Sequence, residues 1–73
     1  MMAILDDIQN LALYGKEVFI DLPGVQGYVT SLVFGTIHFS NGGKIGLEEL
    51  GNRFGDTIKI VNSGSHYKVI LKN

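Results

Sequence analysis

The chain has 73 residues, 45% of them hydrophobic and 18% charged, with a net charge of −1 and no cysteine. That is material for one core in a single domain spanning residues 1–73. It is too apolar to be disordered and too nearly neutral for a protein whose first task is gripping phosphates. It also excludes disulfides and thiolate metal sites.

A domain this small commonly draws stability from a metal or a second subunit when it has no disulfide. His38 and His66 stand far apart without ligand spacing, so no metal and no cofactor is expected, and self-association is. No apolar run approaches a membrane span. The start of the chain lacks the basic-then-apolar pattern of a secretory signal, which leads to the expectation of a cytoplasmic protein.

From Ala3 to Tyr14, the residues Ile4, Leu5, Ile8, Leu11 and Ala12 recur at helical spacing, with Asp6 and Asp7 near the start and Gly15 where a left-handed cap belongs. Lys16–Leu22 then alternates: Val18, Ile20 and Leu22 fall on one side, Glu17, Phe19 and Asp21 on the other. Pro23-Gly24 is a turn. Val25–Phe34 reads as a second strand, rich in β-branched and aromatic residues, with Gly27 marking a bend or bulge.

Gly35 separates that strand from Thr36–Ser40, in which Ile37 and Phe39 point one way. Asn41-Gly42-Gly43 is a hairpin signal, and Lys44–Leu47 is expected to return as the paired strand. Leu47–Gly55 reads as a short helical turn or a loop. Asp56–Val61 and His66–Leu71 are two further strands joined across Asn62-Ser63-Gly64-Ser65. The fold class expected is α+β: an N-terminal amphipathic helix followed by a small antiparallel β-sheet or partly open barrel of about five strands.

No assembled chemistry emerges. Gly42-Gly43-Lys44-Ile45 lacks the spacing and the hydroxyl of a P-loop, and Gly24-Val25-Gln26-Gly27 has the bare Gly-x-x-Gly spacing of KH loops without flanking basic residues. Ser31 or Ser40 with His38 or His66 makes a triad on paper only, with no nucleophile elbow. No catalytic residue is assigned, and the chain is expected not to be an enzyme.

Two surfaces stand out instead. Phe19 faces away from Val18, Ile20 and Leu22, so a strand apolar on both sides asks for a second cover. Phe19, Tyr28 and Phe34 are the candidate protein interface, with a protein partner or a second copy as the occupant. Lys59, Lys68 and Lys72, with Tyr67 nearby, form a candidate nucleic-acid contact in which charge meets stacking, ranked below the solubility role of lysines on exposed strands.

The helix followed by Gly15–Leu22, a turn and Gln26–Leu32 resembles the start of Sm-like RNA-binding barrels, which open with a helix and two strands, the second with a glycine at its bend. The resemblance covers residues 4–39 and implies a small β-barrel and an RNA-binding role. No acidic residue follows Ser31-Leu32 and the later Arg-Gly or Lys-His signature is absent, so no RNA-binding residue is carried over. Val18–Val25, leading to Thr30-Ser31, together with Ile58–Asn62, resembles STAS-like regulatory domains. That likeness implies a helix over residues 30–41, against the strand preference of Val33, Thr36, Ile37 and Phe39, and ranks second. The function expected is a small binding or regulatory domain acting through protein contacts, such as a stand-alone inhibitor of a larger protein.

Overall fold

The computed structural model describes residues 3–72. Helix α1, Ala3–Leu13, follows the expected periodicity: Ile8 is fully buried, Ile4, Leu5 and Leu11 pack beside it, and Asp6, Asp7, Gln9 and Asn10 face solvent. It ends as the glycine predicts. Gly15 sits at φ 74°, the Lys16 N–H reaches the Leu11 carbonyl at 3.0 Å and the Gly15 N–H reaches the Ala12 carbonyl at 3.1 Å. These two bonds satisfy carbonyls the helix would otherwise strand, in the Schellman pattern.

Strand β1, Val18–Leu22, alternates as read, with Val18, Ile20 and Leu22 buried. It pairs antiparallel with β2, Val25–Val33, across the Pro23-Gly24 turn. β2 in turn pairs antiparallel with β3, Thr36–Phe39, and β3 with β4, Lys44–Gly46. Strand thus occupies most of residues 30–41, and the helix required by the STAS-like likeness is absent there.

The expected irregularity in β2 lies elsewhere than at Gly27. The ladder with β3 shifts between Val29 and Ser31, which leaves Thr30 unpaired with its hydroxyl donating to the His38 carbonyl at 3.1 Å. One extra residue reverses the side-chain alternation. Val25, Gly27 and Val29 therefore face the core before Thr30, and Leu32 faces it afterwards, opposite Ile37.

Gly27 has a different task. It is buried at φ 152°, and a Cβ there would lie 3.1 Å from Phe39 Cβ and 3.0 Å from Asn41 Nδ2. Its missing side chain leaves room for Phe39 to fill the core and for Asn41 to donate to the Gln26 carbonyl at 2.9 Å. The same asparagine accepts from the Gly43 N–H at 2.8 Å, so one side chain ties the β3–β4 loop to β2.

Leu47–Phe54 is a helix, α2, rather than a return strand continuing through Leu47. Its Leu50 is fully buried and Leu47 and Phe54 pack on the core, while Glu48 and Glu49 occupy the first turn. Strands β5, Ile58–Asn62, and β6, Tyr67–Leu71, form the last hairpin. The sheet has six strands, in the order β4-β3-β2-β1-β6-β5.

One pairing departs from the antiparallel expectation: β6 lies parallel to β1. Hairpins force antiparallel neighbours, but α2 carries the chain from the β4 edge to the β5 edge, and nothing in that connection dictates the direction of β6. A single cluster joins Ile8, Val18, Ile20, Leu22, Val25, Ile37, Phe39, Ile45, Leu50, Ile58 and Val69. Each large side chain there contributes roughly 1.5–3 kcal/mol by leaving water. Both helices supply this core face.

Candidate functional site

The opposite face of β2, β1, β6 and β5 is built by the other half of each alternation. The registers set Tyr28, Phe19, Lys68 and Val61 side by side in one row across four strands, and Gln26 beside Asp21 and Lys59 beside Ile70 in the next. Phe19 and Tyr28 pack with their rings tilted by 57° and centroids 4.8 Å apart, and His66 meets the edge of Tyr28 at 5.8 Å. Gln26 Nε2 donates to Asp21 Oδ1 at 3.0 Å. Tyr28 keeps 44% of its surface exposed.

The two candidate surfaces read from sequence therefore share one face. Lys68 is the direct cross-strand neighbour of Phe19, and Lys59 and Lys72 lie on the same side by alternation. Tyr67 does not join them. It follows the parity of Val69 and Leu71 and packs against the core, which separates the tyrosine from the lysines by the thickness of the sheet. Glu17 and Asp21 stand by the same alternation with Phe19, so the lysines share their face with carboxylates.

Phe34 belongs to neither cluster. Val33 and Thr36 are paired, so Phe34 and Gly35 are the two central residues of the β2–β3 hairpin, at φ 51° and 75°. Two consecutive positive φ values define the turn that suits the twist of a two-residue hairpin, and its preferred sequences are Asn-Gly and Gly-Gly. Here the first position is a phenylalanine at 102% exposure, beside Val33 at 47%. The spacing of core residues at 25, 27, 29 and 32 signals the extra residue that puts Phe34 in a turn; counting it as strand hides that.

Chemistry is sparse elsewhere. Ser31 and His38 face each other across β2 and β3, and Ser65 Oγ lies 3.2 Å from His66 Nδ1, but among the described hydrogen bonds neither imidazole meets a carboxylate. Among the described residues no three His, Asp or Glu side chains gather as metal ligands would. A polar cleft of about 260 Å³ between Gly24, Asn41, Lys44 and α2 is lined on one side by the Arg53–Glu49 pair at 3.6 Å. No helix among the described residues is long and apolar enough to cross a membrane. No family model matches this chain, and neither a curated protein nor a solved structure gives a significant match.

Proposed function

We propose that the chain is a small, non-enzymatic binding domain acting through protein contacts, with Phe34 as the anchor that enters a pocket on the partner. One observation carries this reading: a phenylalanine occupies a left-handed turn position and is fully exposed among the described residues. A bulky side chain at positive φ is strained by about 1 kcal/mol or more, and full exposure gives it no packing to offset the strain. Large aromatic side chains are also the residues that dominate protein interfaces. Regulation by occlusion, as a stand-alone inhibitor of a larger protein, is the form such a domain takes. A photo-reactive phenylalanine analogue at position 34, expressed in the native cell, is expected to capture one polypeptide, and Phe34→Asn is expected to abolish competition for it. Capture of nothing at position 34, or undiminished competition by the variant, would remove the anchor.

A second reading, binding of single-stranded nucleic acid on the outer face, has one observation in its favour: Lys68 beside the tilted Phe19–Tyr28 pair. Such binding weakens steeply with salt. Lack of affinity for single-stranded RNA at low salt eliminates it. The carboxylates of Glu17 and Asp21 on that face favour the protein reading.

A further inference from the structure

The two edges of the sheet are finished differently. β4 is three residues long and ends in Gly46, where α2 begins. β5 is five residues of Ile-Lys-Ile-Val-Asn, pairs only with β6, and carries neither proline nor a bulge. Short edges, bulges, prolines and charges are how folded proteins keep an edge from pairing with another chain. Lys59 is the one such device on β5, and its side chain stands on the outer face rather than along the edge.

Which backbone groups the β5 edge presents follows from the hairpin. The Lys72 N–H donates to the Thr57 carbonyl at 2.6 Å and the Ser63 N–H to the His66 carbonyl at 2.8 Å, so residues 57 and 63 turn their polar groups toward β6. In an antiparallel ladder this alternates, and Lys59 and Val61 do the same. Ile58, Ile60 and Asn62 are left with N–H and C=O directed outward. Beside them, on the core face, an apolar groove of about 290 Å³ runs between β5 and α1, lined by Asp7, Asn10, Leu11 and Ile60.

We propose that β5 pairs antiparallel with β5 of a second copy of this chain, about a two-fold axis at Ile60. The edge is self-complementary in that register. Ile60 faces Ile60 of the second copy, Ile58 faces Asn62, and every outward N–H meets an outward C=O. No other register satisfies all three residues. The same axis brings the second copy's α1 alongside the groove, so Leu11 and Ile60 of each copy cover those of the other. A foreign strand satisfies the edge alone; a second copy satisfies the edge and the groove together. The contact is separate from Phe34 and leaves the outer face open.

The test is chemical synthesis of the whole chain with the Ile60 amide N-methylated. The side chain is kept, the bonds to β6 are untouched, and the outward donor is replaced by a methyl group that also obstructs the edge. Sedimentation equilibrium is expected to show a dimer for the native chain and self-association at least about tenfold weaker for the methylated one, because the lost bond is counted twice across the axis. Amide exchange of the native chain gives an independent reading that no folding defect can confound. Ile58, Ile60 and Asn62 are expected to exchange more slowly as protein concentration rises. A monomer at every concentration, a dimer indifferent to methylation, or a dimer in which these three amides stay unprotected overturns the proposal.

Discussion

Replacing Gly27 with alanine tests how β2 and the β3–β4 loop are held together. The added Cβ would sit 3.1 Å from both Phe39 Cβ and Cγ and 3.0 Å from Asn41 Nδ2, at a backbone φ of 152° that L residues avoid. Backbone strain alone is about 1 kcal/mol, and forcing a methyl into filled space adds about 1 kcal/mol. Displacing Asn41 from the Gln26 carbonyl removes a hydrogen bond worth about 1 kcal/mol. The total is about 3 kcal/mol, a large part of the 5 kcal/mol or so that a small domain has.

Urea denaturation followed by far-UV circular dichroism measures it, with an expected fall in midpoint of roughly 2 M and in melting temperature of roughly 15 °C. Asn41→Ala measured beside it separates the bond from the clash, and the double variant is expected to lose less than the sum of the two. A loss under about 1 kcal/mol for Gly27→Ala would refute the reasoning, since that is what an ordinary substitution produces without any close approach.

Phe34→Asn should stabilise the fold by about 1 kcal/mol in the same assay, because asparagine tolerates the left-handed position and no packing is lost. Its capture of a partner should fall at the same time. Ile20→Ala, at the centre of β1 and fully buried, should cost about 3 kcal/mol and lower the urea midpoint by about as much as Gly27→Ala. Arg53→Ala breaks an ion pair whose side chains are 46% and 61% exposed, and urea midpoints should register no more than about 0.5 kcal/mol.

What could be read from the residues alone depended on whether the signal was local. The periodicity of α1, the alternation of β1 and the Asn41-Gly42-Gly43 turn involve neighbours within a few positions, and each stands where the pattern puts it. The α2 helix was legible only as helix or loop, because eight residues of Leu-Glu-Glu-Leu-Gly-Asn-Arg-Phe carry just two turns of pattern and a glycine. Non-local geometry was not legible. The parallel contact between β6 and β1 joins residues about fifty positions apart, and no turn sequence encodes it. The placement of Tyr67 is different again: the alternation already set it with Val69 and Leu71, and proximity in sequence to Lys68 says nothing about sharing its face.

β2 and the turn that ends it contain three positive φ values, and two of them, at Gly27 and Phe34, have opposite meaning. At Gly27 the backbone demands a residue without a Cβ, and glycine is there; fold and residue agree. At Phe34 the turn asks for asparagine or glycine, and a fully exposed phenylalanine is there instead. A residue that breaks a local rule usually recovers the loss through contacts. Phe34 recovers none among the described residues, and the partner contact proposed above would supply that compensation. That asymmetry, rather than any pocket, is the strongest pointer to function in the molecule. It also predicts which variant separates folding from binding: a substitution at Gly27 must lower both, whereas one at Phe34 must move them in opposite directions.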